Sequence, residues 1–383
     1  MPENLTGADL RLLIQRVFRP GPADRGLLIM VDLPDPHRPD NEGWRTRRRL
    51  AADWAAKLAA ERTALGLERV TLAWYPNVGG NNADLPGAAV PGDPHWVPDL
   101  AEDLAGRPAE PFRDLLARHS LVLAPTELSA TAPLKLAARD GGFRAATMPG
   151  FLPSMIPALR LDYDEINRRV KLLKDLCDAS ERCVVVTETS AGLHELVLDL
   201  RHRRGHASGG LFLANGVAGN LPSGEAYIVP YEGEIPGDPS LTAGELPVQL
   251  GGELALLEIS GNRVRDVRGR GRLVDLEREH FAREPAYANL AELGLGVLGD
   301  FGLQPTGSIL LDEKLGLHIA FGRSDHFGGS VGPSAFSSPS AVVHQDRVYI
   351  PETQPLVQVR EVRLEGEEDA RAIMVDGSYV GVF

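Results

Sequence analysis

Cysteine is nearly absent from this chain: 383 residues contain two, Cys177 and Cys183, with no Cys-x-x-Cys pair. That excludes a disulfide framework and a thiolate zinc site, and it predicts reduced, core-facing thiols in a cytoplasmic protein. Basic charge is also short, since 40 Lys and Arg face 53 Asp and Glu for a net charge of −13. This balance excludes a duplex or other polyanion as partner. The arginine runs 45–49 and 201–204 read as solvated faces or loops. Nowhere do roughly 18 apolar residues run together, and the N-terminus has no basic stretch ahead of an apolar core. Neither a membrane span nor a signal peptide is expected. There is no H-E-x-x-H, no G-x-S-x-G and no phosphate-loop Lys-Ser/Thr after Gly79-Gly80. No G-x-G-x-x-G follows an early strand, so a nucleotide cofactor is disfavoured.

What is present is an ordinary globular composition, 43% hydrophobic and 24% charged, long enough for two domains. Apolar runs at 26–33, 69–75 and 120–124 read as buried strands, and 42–64, 110–118 and 132–139 carry helical spacing. This alternation predicts a βαβ-type domain with a mainly parallel sheet. A helix at 163–178 and a strand at 183–188 follow. Beyond them the texture changes to short β-type runs punctuated by Gly and Pro, among them 225–230, 254–258, 308–311, 316–321 and 341–349. A helical stretch is expected only at 285–293. The fold class is therefore α/β with two domains. Residues 1–180 form a parallel-sheet domain, and 181–383 form a strand-rich α+β domain that carries the chemistry.

Carboxylates and histidines gather in that second part. His344 and Asp346 are two apart, so an extended strand aims both at one side. Glu225 follows a Pro-Ser-Gly turn, and Glu292 sits among small and apolar residues where an isolated carboxylate is costly. His318 lies in the apolar run LHIAFG, with Glu313-Lys314 just before it. Singly, each has a plain reading: Glu225 a solvent-facing strand residue, His318 a satisfied core histidine, Glu313-Lys314 a surface turn. Together Glu225, Glu292, His318, His344 and Asp346 supply the oxygen and nitrogen donors that zinc, cobalt or manganese favour.

The strings TMPG (147–150), NLPSGE (220–225), AELGLG (291–296), DEKLGLHIAFG (312–322) and HQD (344–346) resemble those of the aminopeptidase T family of thermophilic metallopeptidases. The resemblance implies a two-domain metalloaminopeptidase, usually a homodimer, with two divalent ions (Zn, Co or Mn) on those five residues. It implies release of N-terminal residues from a peptide or small amide substrate, with Glu313 or Glu292 taking a proton from water. At one position the chain departs from the family. The peptidases carry a catalytic tyrosine seven residues after the histidine of HIA-G, where this chain has Asp325, followed by His326. Asp325 or His326 would then face the oxyanion or leaving group. A more distant resemblance, to 2,5-dihydroxypyridine dioxygenases, implies instead one Fe(II) held partly by His344 and Asp346. Glu292 stands where those enzymes have a histidine, and Glu225 is a glutamate they lack, so the two-metal pattern is the better kept. A specialised biosynthetic hydrolase or a non-catalytic binding protein on the same scaffold completes the alternatives.

Overall fold

The computed structural model describes residues 4–367 and 369–383. It is a two-domain α/β protein whose chain divides into two compact units. The first runs to Ile166 and takes back Ser208–Ser223; the second comprises Asn167–Ala207 and Gly224–Phe383. The sequence reading set one boundary at 180/181. The return of 208–223 carries no periodic pattern that would have announced it.

In the first unit a seven-stranded sheet has Gly26–Leu33 at its centre, between Leu121–Ala124 and Arg69–Pro76. Arg144–Thr147 and Ala218–Asn220 extend it in parallel on one side, while Ala88–Gly92 and Glu110–Pro111 close the other side antiparallel. All eight residues of the central strand are buried, as parallel sheets covered on both faces require. Helices Glu42–Glu61, Phe112–Arg118 and Thr131–Gly141 occupy the places their spacing predicts. Helix Gly7–Val17 precedes the first predicted strand. It starts from a capping box in which the Thr6 hydroxyl accepts the Asp9 N–H and the Asp9 carboxylate accepts the Thr6 N–H.

The second unit holds an eight-stranded antiparallel sheet, which contains Arg182–Thr189, and a smaller sheet that carries the chemistry. In the smaller sheet His344–Val348, Leu317–Gly322, Leu290–Gly296 and Glu225–Ile228 lie side by side, antiparallel. Two local expectations fail here. Residues 290–296 are a strand and not part of a helix; the helix lies earlier, at Arg272–Arg283. The run Glu292-Leu293-Gly294-Leu295-Gly296 alternates with a period of two, which outweighs the helical look of the preceding alanines. Residues 308–311 are not β but open a short helix, Ile309–Asp312, whose Asp312 carboxylate turns back to accept the Thr306 and Gly307 N–H groups. Cys177 and Cys183 are buried and free.

Candidate metal centre

Strand register turns scattered motifs into one surface. Residues directly opposite in an antiparallel pair share a face. Glu225 pairs with Gly296 and Tyr227 with Gly294; Glu292 pairs with Ala320 and Gly294 with His318. On the next strand Ala320 pairs with Asp346 and Gly322 with His344. One face of the sheet therefore carries Glu225, Tyr227, Glu292, His318, His344 and Asp346, and the positions between them are Gly or Ala. On the three inner strands the other face carries Ala226, Ile228, Leu293, Leu295, Leu317, Ile319 and Phe321, all buried, and the edge strand adds Gln345 and Arg347. Apolar residues anchor the sheet on one side, and small residues leave room for functional groups on the other.

Gly294 shows how tight the arrangement is. A Cβ built there would stand 1.8 Å from His318 Nε2, inside the van der Waals envelope of the imidazole. The ring lies across the glycine, so the glycine and the histidine belong to one device. We expect Gly294→Ala to displace His318 and to cost about 1–3 kcal/mol of stability. Thermal unfolding and metal titration of the variant test this; unchanged melting and unchanged metal uptake would refute it.

All five predicted ligands come together. His318 Nε2 is 3.4 Å from Glu292 Oε1 and 3.6 Å from Glu225 Oε2. His344 Nε2 is 3.1 Å from Glu292 Oε2 and 3.5 Å from Asp346 Oδ1. Two three-residue groups result, Glu225–Glu292–His318 and Glu292–His344–Asp346, each with its donor atoms within 4.8 Å of one another. Glu292 belongs to both and gives one oxygen to each.

Three observations fit these groups to divalent ions. Donors bound at 2.0–2.2 Å around a tetrahedral ion stand about 3.3–3.6 Å from one another; three of the four distances above lie in that range, and the His344–Glu292 pair is closer at 3.1 Å. Glu225 Oε2 is sealed from solvent and, among the described residues, has no hydrogen-bond partner, an orphan acceptor that a cation would satisfy. His344 Nδ1 lies 2.8 Å from the Arg323 carbonyl, which fixes a proton there and makes Nε2, facing Glu292 and Asp346, the nitrogen that could exchange its proton for a metal.

The electrostatics follow from the crowding. Burial alone would raise the Glu292 carboxyl, but hydrogen bonds and charge from His318 and His344 hold it far below the usual range. Burial would lower His318, yet its hydrogen bond to Glu292 and the charges of Glu292, Glu225 and Asp346 push it up to about 9. His344 is raised against burial by Asp346 and Glu292. These histidines bind protons for the same reason that they would bind a metal: three carboxylates face them.

Glu313 joins the cluster. Its carboxyl is pushed up to about 8 by burial, with the Lys314 charge opposing and the Glu225 and Asp346 charges reinforcing. Lys314, read from sequence as part of a surface turn, is instead fully buried. Its ammonium donates to Glu313 Oε1 and lies 3.4 Å from Glu225 Oε1. The neighbouring acids are the signal that a lysine there has a partner to follow inward. Tyr227 sits two residues after Glu225 in the same strand and shares its side.

Asp325 and His326 border the cluster without entering either donor group. The Asp325 carboxylate accepts from Arg323 Nε at 2.6 Å, and against the effect of burial that guanidinium keeps its carboxyl low. His326 is pushed down to about 4 by burial and by the charges of His344 and Arg323, so its imidazole is neutral. Its ring centroid is 5.4 Å from that of His344. The loop that carries them is pinned by Glu232, which accepts from Asn289 Nδ2 at 2.8 Å, Ser324 Oγ at 2.5 Å and Ser330 Oγ at 2.7 Å.

Comparisons with known proteins place this geometry on a known fold. A 2,5-dihydroxypyridine dioxygenase from Pseudomonas putida KT2440 is similar with a TM-score of 0.61 and 15% identity over 98% of each chain. These likenesses are of fold. Wild-type AmpT from Thermus thermophilus is similar with a TM-score of 0.56 and 15% identity, again over 98% of each chain. No protein-family model and no curated protein sequence matches the chain. Among the described residues, no helix is long and apolar enough to cross a membrane.

Proposed function

We propose that the protein is a metal-dependent hydrolase of the dinuclear type, acting on the terminal amide of a peptide or on a related small amide. The observation that carries this reading is the division of Glu292 between His318 and His344, one oxygen to each. Glu225, Glu292 and His318 would hold one ion, and Glu292, His344 and Asp346 the other. Bound there, such ions supply Lewis acidity and lower the pKa of a bound water. The chain's own groups complete the chemistry. Lys314 holds Glu313 by one carboxylate oxygen, leaving Oε2 free to accept a proton from water. The Glu313 carboxyl stands at about 8 without cations, and the charge of ions held by the neighbouring donors would bring it down toward the ionised form that role needs. Asp325, ionised and engaged by Arg323, has no proton to donate; neutral His326 stands beside the cluster and can accept or donate a hydrogen bond.

The fold shared with a dioxygenase supports a second reading, a one-iron oxygenase. Non-haem iron oxygenases use two histidines and one carboxylate. Each group here offers one histidine and two carboxylates, which favours the hydrolase. The experiment is an assay on Leu-p-nitroanilide and a set of small amides after loading with Co, Zn or Mn. Metal-dependent amide cleavage, abolished in Asp346→Ala, is expected. Turnover that requires Fe(II) and oxygen and leaves every amide intact would select the oxygenase.

A further inference from the structure

Tyr227 has a position that neither the ligand set nor Glu313 accounts for. It follows Glu225 by two residues, on the face of the sheet that carries the five donors, and stands opposite Gly294, across which the His318 ring lies. Its ring is clamped. It stacks on His206 with centroids 5.1 Å apart and an interplanar angle of 20°, and Phe327 meets it at 4.8 Å. Phe327 in turn sets its edge against ligand His344 at 5.3 Å. The carboxylates of Glu292, Glu225 and Glu313 are near enough to act on the phenol. Yet among the described residues its hydroxyl has no hydrogen-bond partner, and it is not among the sealed polar atoms. A half-buried tyrosine usually satisfies its hydroxyl, because the group is costly to leave unpaired. Here the ring is fixed and the hydroxyl is left available beside the donor cluster. The Glu292 carboxylate beside it accepts hydrogen bonds, and Asp325 is committed to Arg323.

We propose that Tyr227 is a catalytic residue that donates a hydrogen bond from its neutral phenol to the oxyanion developing on the substrate carbonyl. The bond is a donation without proton transfer, so the phenol stays intact and no further reactant is needed. In chain order the donor comes from the strand that begins with Glu225, not from the loop after His318. A chain with Asp325 in that loop thus retains a phenol at its centre. The inference rests on the metal-centre reading above and is tested without a substrate.

The test uses the full-length protein loaded with Co(II), its visible absorption following the binding of methylphosphonate, a tetrahedral oxyanion. Imidazole, which binds metal but presents no oxyanion, serves as the control. Tyr227→Phe keeps the ring and its stacking, so it should retain the wild-type cobalt content and melting temperature. It should bind methylphosphonate roughly 10- to 100-fold more weakly, the value of one hydrogen bond to a charged group, with imidazole binding unchanged. Methylphosphonate affinity within twofold of wild type, or equal weakening toward imidazole, would overturn the proposal. So would a wild-type protein that loads cobalt but does not bind methylphosphonate. A wild-type protein that takes up no cobalt fails at a different point, in the metal centre itself.

Discussion

Glu292→Gln should cost the protein both ions, not one. The substitution keeps the size of the side chain but replaces one carboxylate oxygen with an amide NH2 and removes the charge. In the structure those two oxygens serve different histidines, Oε1 facing His318 at 3.4 Å and Oε2 facing His344 at 3.1 Å. Whichever way the amide turns, one group receives a donor where it needs an acceptor, and the other loses the charge. Losing a partner outside the ligand shell alone typically lowers metal affinity or activity roughly 10- to 100-fold. Removing a shared ligand should exceed that, with activity falling by more than roughly 100-fold and metal content well below wild type. Asp346→Ala provides the contrast, because Asp346 belongs to one group only. Its metal content should fall by one ion while the Glu225–Glu292–His318 group stays loaded. Equal losses in the two variants would mean that Glu292 is not shared.

The second large effect is expected at Lys314. Its side chain is fully buried between Glu225 and Glu313, and their charges and hydrogen bonds hold its ammonium well above the usual lysine range against the pull of burial. Lys314→Met keeps most of the volume and removes the charge. Four acids, Glu225, Glu292, Glu313 and Asp346, would then converge without the ammonium that pairs with two of them. Breaking a buried pair on one side costs about 3–5 kcal/mol, because the abandoned charge stays in place. Chemical denaturation of the metal-free variant should show a loss of that order. Saturating divalent metal should restore part of it, since cations at the cluster neutralise the same carboxylates. A metal-free variant as stable as wild type would mean that the ammonium does not balance these acids.

Much of this was legible in the sequence, for identifiable reasons. Strand Gly26–Leu33 and helices Glu42–Glu61 and Tyr163–Asp178 stand where apolar runs or spacing put them, because their patterns are long and unambiguous. The five candidate ligands were legible because their residue types are costly inside an apolar strand without a purpose. Glu292 was placed on the wrong element, since Ala-Asn-Leu-Ala-Glu looks helical until the alternating glycines are counted. Lys314 and Tyr227 were hidden for different reasons. The burial of Lys314 depends on Gly296, where any Cβ would come within 2.3 Å of the Lys314 backbone. That contact spans residues far apart in sequence, and no local pattern reveals it. Tyr227 shares the face of Glu225 by the period of two, but no local pattern marks its hydroxyl as left without a partner among the described residues. The eight-stranded sheet escaped in part because strands Ala243–Leu250 and Gln358–Glu365 mix charged and apolar residues without a long apolar run.

The central claim is that one carboxylate, Glu292, joins two metal sites on a single sheet face. Anomalous scattering from crystals grown with Mn(II) or Zn(II) tests it most directly. The account predicts two peaks per chain, one beside Glu292 Oε1, Glu225 and His318 and the other beside Glu292 Oε2, His344 and Asp346. A single peak at saturating metal, or two peaks of which only one touches Glu292, would contradict it.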